Sequence, residues 1–137
     1  MTYIELYKIF GGEIMKVTNL QDIYKMKYEY YKQGEILMIN VPTNNPNGCT
    51  QGIHPAVIIS NDRISKFAPC LTVALITSKV KRLDLTFHMQ VMLEKASMIM
   101  CEQTFTISKE DVLQRVGHLK DNKLSELKQC LRNIYDI

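Results

Sequence analysis

The chain has no tryptophan, only six glycines and four prolines, and no apolar run near the roughly 20 residues that cross a bilayer. These shortages exclude a collagen-like or low-complexity chain and a helical membrane anchor. Cys49, Cys70, Cys101 and Cys130 lie far apart with no C-x-x-C pair, so neither a zinc framework nor a compact disulfide scaffold is indicated. Free thiols in a reducing cytoplasm are expected. The N-terminus lacks the basic head and apolar run of a secretory signal, which also points to a cytoplasmic protein with no membrane partner. Charge of one sign is hardly in excess: 17 Lys and Arg against 14 Asp and Glu leave +3. That balance permits contact with phosphate without arguing for it, so the placement of the charges has to carry any such argument.

What is present is an ordinary soluble composition, 46% hydrophobic and 23% charged over 137 residues. A chain of this length buries about two-thirds of its unfolded surface in one core without staples. Residues 1–33 are rich in tyrosine and lysine, whereas apolar runs and turn residues alternate from Gly34 onward. The change predicts an N-terminal helical extension over 1–33 and a second unit over 34–137. In the extension Thr18 or Asn19 can cap a helix that places Leu20, Ile23, Tyr24, Tyr30 and Tyr31 on one face.

The second unit reads as strands. Glu35–Val41 has the composition of a buried strand, and Pro42, Asn44, Asn45, Pro46, Asn47 and Gly48 then form a dense turn-rich loop. Ala56–Ser60 and Leu71–Thr77 are short, partly β-branched core strands. Phe87–Met92 and Ser97–Cys101 follow, joined by a hairpin at Glu94 and Lys95. Ser108 with Asp111 resembles a capping box, which predicts a short helix to about Val116. Asp121 is expected to cap a last helix whose Leu124, Leu127, Leu131 and Ile134 share one face. Short strands with closing helices predict an α+β fold built on a small barrel.

An ordered series of blocks then carries a family resemblance. Gly34-Glu35-Ile36, Gly52 to Asp62 with His54-Pro55-Ala56-Val57-Ile58-Ile59, Ala74 to Thr77, His88, Glu102 to Ile107 and Gly117-His118-Leu119 resemble successive segments of MazF/PemK toxins. The resemblance spans about Lys32 to Ile137 and leaves the extension unmatched. It implies an SH3-like β-barrel of the CcdB/MazF type with a C-terminal helix, acting as a homodimer. It also implies a toxin of a type II toxin-antitoxin system that cuts single-stranded RNA without metal or cofactor and is silenced by a cognate antitoxin.

Metal-free RNA cleavage uses the ribose 2′-hydroxyl as nucleophile, so the protein must move protons and stabilise a crowded phosphorane. The resemblance implies a reactive threonine at Thr77 and, just before the strand proline, an arginine whose place is taken here by His54. An imidazole can accept the 2′-hydroxyl proton or donate to the leaving oxygen, although it lacks the permanent charge and fork of a guanidinium. His54 and Thr77 are therefore the expected catalytic pair, with His88 a second-tier candidate. Taken alone, His54 reads as a turn histidine, Thr77 as a strand-end residue satisfying backbone groups, and His88 and His118 as structural.

Lys79, Lys81 and Arg82 form a basic loop directly beyond Thr77, and Arg63 and Lys66 sit in another loop. Such placement suits phosphate steering, against the plain reading of a solvated charge run. Gln103, Asn47 and Gln51 complete the expected RNA contacts. Phe105 stands where many family members carry arginine, and can stack on a base or simply fill the core. Glu102 is expected to fix local structure. The alternative from another class is a non-catalytic protein-binding module on the same fold, binding antitoxin or gyrase, which the two missing arginines favour and the lack of tryptophan opposes. An interaction protein acting through its N-terminal helix is a third.

Overall fold

A computed structural model describes residues 30–41 and 52–137. Along the chain run β1 (Glu35–Val41), β2 (Gly52–Ile58), α1 (Asp62–Phe67), β3 (Cys70–Thr77), β4 (His88–Met92) and β5 (Ala96–Ser108). A 3₁₀ turn (Lys109–Asp111), β6 (Val112–His118) and α2 (Asp121–Tyr135) complete it. The strands make one antiparallel six-stranded sheet in the order β4-β5-β3-β2-β1-β6.

Side chains alternate across a strand, and here both faces are apolar, so the sheet builds two cores. Leu37, Ile39 and Val41 of β1, Ala56 and Ile58 of β2, and Leu71, Val73 and Leu75 of β3 share the first core with Tyr31, Ile107 and Val112. Ile107 is on β5 and Val112 on β6, with three strands between them in the sheet order, so one core can hold both only if the sheet curls. The result is a six-strand half-barrel wrapped around that core. The second core lies on the outer face, where Ile36, Val57, Ala74, Ile76, Ile99 and Cys101 meet Leu127 and Cys130 of α2.

Helix α2 covers the outer face because its apolar residues recur at helical spacing. Leu127 and Cys130 are buried, with Leu124, Leu131 and Ile134 packed beside them. Truncating a fully buried leucine such as Leu127 costs about 2–5 kcal/mol. The helix ends at Asp136, whose left-handed φ of 54° lets its amide donate to the Arg132 carbonyl at 2.7 Å. Lys120 occupies the N-cap without a side-chain bond, and Asp121 lies in the first turn. The expected Asp121 cap is therefore shifted by one residue, leaving its carboxylate to act on the helix dipole.

Three further expectations are corrected. The helix from Ser108 to Val116 is instead a single 3₁₀ turn followed by β6. Ser108 does cap that turn, accepting from the Glu110 amide at 3.2 Å, but Val112 to Val116 then find the free edge of β1, and strand pairing wins over local capping. The stretch 62–67, read as loop, forms α1, with Asn61 Oδ1 accepting from the Ile64 amide at 3.0 Å. Tyr30 and Tyr31 are not helical: Tyr31 is fully buried in the barrel core, and Arg115 stacks on its ring at 4.5 Å. The chain is pinned there by Gln33, whose amide donates to Asp62 Oδ1 and whose Nε2 donates to the Ile59 carbonyl, each at 2.8 Å. The remainder of the expected N-terminal helix lies outside the described residues.

Candidate functional site

Strands β2 and β3 pair Ile58 with Val73, Val57 with Ala74 and Ala56 with Leu75. These pairs end at Ala56 and Leu75, and His54 and Thr77 lie two residues further along their strands, towards the same end of the sheet. His54 alternates with Ala56 and Ile58, and Thr77 with Leu75 and Val73, so both side chains belong to the core face of the half-barrel. Each has a closed neighbour: Ile39 beside His54 is 0% exposed and Met98 beside Thr77 is 1%. His54 and Thr77 themselves are half-buried, so an imidazole and a hydroxyl lie at the rim of a packed barrel.

Thr77 Oγ1 accepts from the Lys79 amide at 3.1 Å, which fixes the turn leaving β3. Accepting uses a lone pair and leaves the hydroxyl proton for donation. The threonine thus serves the backbone, as its plain reading held, while keeping a donor for an anion. Lys79 and Lys81 in the following loop are exposed. Arg82 forks onto Asp84, with Nε to Oδ1 and Nη2 to Oδ2 both at 3.0 Å. The guanidinium holds the Asp84 carboxyl below its ordinary range, and the carboxylate in turn raises the arginine.

His88 begins β4 with both ring nitrogens engaged: Nε2 lies 2.8 Å from Glu102 Oε2 and Nδ1 lies 3.1 Å from the Arg82 carbonyl. Glu102 is available because β5 bulges. Neighbours Ala74 and Leu75 pair with Thr104 and Met100, which leaves Cys101, Glu102 and Gln103 opposite no β3 residue. Gln103 sits in this bulge with its side-chain Oε1 buried and unpartnered. Phe105 is half-buried against the barrel core.

Antiparallel pairing puts the start of β2, which carries His54, and the end of β3, which carries Thr77 and leads into Lys79–Arg82, at the same end of the sheet. The structure separates Arg63 and Lys66, which lie on α1 and so at the opposite end of β3. His118 lies on the exposed end of β6, where its Nδ1 is 3.3 Å from the Leu119 carbonyl. Asn47, Gln51 and Cys49 lie outside the described residues.

Sequence reasoning missed a partly buried pair, Arg115 on Glu35, in which Nη2 meets Oε1 at 2.8 Å and Nε meets Oε2. Nothing local signals it, because the partners are 80 residues apart. Cys101 and Cys130 are buried free thiols, and burial pushes Cys101 up to about 12 and raises Cys130. No three His, Cys, Asp or Glu gather among the described residues as a metal cluster. No helix among them is long and apolar enough to cross a membrane.

Comparison with known proteins adds the family context. The family model described as PemK-like, MazF-like toxin of type II toxin-antitoxin system matches residues 32–135. An endoribonuclease MazF of Staphylococcus saprophyticus is 32% identical over 85 residues, covering 58% of this chain and 71% of that protein. Among solved structures, MazF from Deinococcus radiodurans superposes with a TM-score of 0.67 at 13% identity, over 79% of this chain and 98% of that one. A mycobacterial endoribonuclease solved with its cognate antitoxin gives 0.66 at 10% identity, over 78% and 96%. At such identities the superpositions speak for the fold alone.

Proposed function

The chain belongs to the PemK-like, MazF-like toxin family of type II toxin-antitoxin systems, and on that premise we propose how it cuts RNA. It is a MazF-type endoribonuclease, and the proposed centre is His54 with Thr77. The observation that supports this reading is the antiparallel pairing of β2 with β3, which puts the strand ends bearing His54 and Thr77 at the same end of the sheet.

His54 takes the proton of the ribose 2′-hydroxyl, whose oxygen bonds to the adjacent phosphorus while the bond from phosphorus to the 5′-oxygen breaks and that oxygen takes a proton from water. The products are a 2′,3′-cyclic phosphate and a 5′-hydroxyl, and no metal or cofactor enters any step. Thr77 donates a hydrogen bond to a non-bridging phosphate oxygen, where charge grows in the transition state. Lys79 and Lys81 draw the RNA backbone to the same end of the sheet, and Gln103 lines the groove. Arg82 joins them when its fork leaves Asp84.

The nuclease unit is assigned to 34–137 together with the short lead-in from Tyr31, whose ring packs in its core, and the residues before Tyr31 to an extension. We further propose an SH3-like barrel that works as a homodimer in the cytoplasm and is restrained by a cognate antitoxin, in line with the mycobacterial relative solved with its own.

The test is cleavage of single-stranded RNA by the purified chain in excess chelator. Fragments should appear and carry cyclic phosphate ends, and a deoxyribose at the cleaved position should stop the reaction. His54→Ala should lower kcat about 10²- to 10⁴-fold, the usual range for a general acid-base group. An unchanged rate in that variant removes His54 from the mechanism.

A further inference from the structure

The loop over residues 78–87 leaves the sheet at Thr77 and returns at His88, so the basic side chains of the proposed site are carried by a segment anchored at its two ends. Its internal bonds are local: Leu85 donates to the Arg82 carbonyl and His88 to the Leu85 carbonyl, each at 3.2 Å. Asn133 of α2 donates to the Thr86 carbonyl at 2.9 Å, and Cys101 to the Phe87 carbonyl at 3.1 Å, both close to where the loop ends. The bond from His88 Nδ1 reaches further back, to Arg82. Arg82 has φ of 54°, a left-handed conformation that a side-chain-bearing residue rarely adopts, so its carbonyl direction is a special feature of the loop.

We propose that His88 is a positioning residue: locked between Glu102 and the Arg82 carbonyl, it holds the 78–87 loop in the shape that presents Lys79 and Lys81 to the RNA backbone. The proposal rests on the reading that this end of the sheet is the RNA-cleavage site.

The ring nitrogens carry the argument. A carbonyl oxygen only accepts, so Nδ1 bears a proton and donates it to Arg82. Nε2 lies 2.8 Å from a Glu102 carboxylate oxygen, so the ring is held at both nitrogens. The His88 side chain is 7% exposed, which keeps the bonds from being exchanged for water. The other charged groups around it, Arg82 and Asp84, are paired with each other.

The same geometry argues against a direct role in bond breaking. His88 pairs with Met100 of β5, and Thr77 with Met98 of the same strand. One whole strand therefore separates the two, with an offset of two residues along it, so strand spacings of about 4.8 Å and a rise of about 3.4 Å per residue put His88 and Thr77 about 12 Å apart. With both ring nitrogens already committed, the imidazole anchors a loop and has no lone pair turned to substrate.

The experiment compares His88→Ala, His88→Gln and Glu102→Gln with the parent chain, by RNA cleavage kinetics and by hydrogen exchange at the Leu85 amide. His88→Ala should raise KM about tenfold while kcat stays within about threefold, since the bonds to the Arg82 carbonyl and to Glu102 are both lost and the reacting groups are intact. Leu85 exchange should quicken about tenfold as the loop loosens. Glu102→Gln should stay near the parent in both readouts, because the amide can donate to Nε2 while Nδ1 keeps its proton. His88→Gln, which reaches one partner, should fall between, and it substitutes for the alanine variant if that fails to fold. Unchanged Leu85 exchange overturns the proposal, as does a fall in kcat of about a hundredfold with KM unaltered, which would make His88 a reacting group. If the parent chain itself leaves RNA intact, the nuclease reading fails, while exchange at Leu85 and salt-dependent RNA binding still judge the loop.

Discussion

Gly34 opens β1 at φ +90°, and both of its backbone groups are taken: its amide donates to the Ile58 carbonyl at 2.8 Å and its carbonyl accepts from Leu119 at 2.9 Å. Replacing it by alanine has two consequences. The left-handed backbone costs a residue with Cβ about 1–2 kcal/mol, and the two bonds prevent relaxation to a negative φ. The added Cβ would also stand 3.0 Å from Leu124 Cδ1 of α2, so that methyl must move by a few tenths of an ångström. A rotamer displaced in this way costs about 0.5–1 kcal/mol more. The sum is about 2 kcal/mol, which for a domain of this size lowers Tm by about 8 °C. Urea denaturation of Gly34→Ala measures the loss directly. Combining it with Leu124→Ala separates the parts, since the strain should persist while the methyl contact vanishes. A loss of less than about 0.5 kcal/mol for Gly34→Ala would refute the argument, because neither the strained backbone nor the helix contact would then matter.

Other expectations follow from the ion pairs and thiols. Glu35→Ala takes the carboxylate from Arg115, whose side chain is only 20% exposed and keeps its bond to the Tyr30 carbonyl, and should cost about 2–3 kcal/mol in urea unfolding, whereas an effect near zero would mean that water replaces the carboxylate. Cys101 is held protonated to about pH 12, so native alkylation should be far slower than in urea. The same raised value sets a sign: unfolded thiol ionises near 9 while the folded one keeps its proton, so the folded state binds more protons and stability falls as pH rises from about 9 towards 12. Cys101→Ala should flatten that slope in urea titrations at successive pH values, and an unchanged slope would assign it elsewhere. Asp84→Asn releases the Arg82 fork and should tighten RNA binding about threefold at about 50 mM salt, the gain fading at high salt. Equal affinity at low salt would show that Arg82 does not face the RNA.

Strand β1 and the buried face of α2 were legible from sequence because each signal is local: an apolar run bounded by turn formers, and leucines at helical spacing. The segment after Ser108 misled because its cap is real but serves one 3₁₀ turn, and pairing with β1 is decided 70-odd residues away in the chain. Helix α1 reads as a loop in the sequence because Asn61 and Asp62 are turn formers, although Asn61 in fact caps its start. That His54 and Thr77 fall at the same end of the sheet depends on the antiparallel pairing of β2 with β3, which no single segment encodes, and family resemblance pointed to the two residues where periodicity did not. The tie between His88 and Glu102 depends on a bulge in β5, and a bulge has no composition of its own.

Tyr31 has a practical consequence. Its ring fills the barrel interior and carries the Arg115 guanidinium, yet it precedes Gly34, where composition draws the division of the chain. Shearing the polypeptide at that division would hollow out the interior by a whole aromatic ring, a deletion of the kind that costs about 3–5 kcal/mol and so a large share of a typical domain's reserve. Trimming that ends beyond residue 30 would thus report a collapsing nuclease, and only cuts that spare Tyr31 can isolate what the tyrosine-rich front segment contributes.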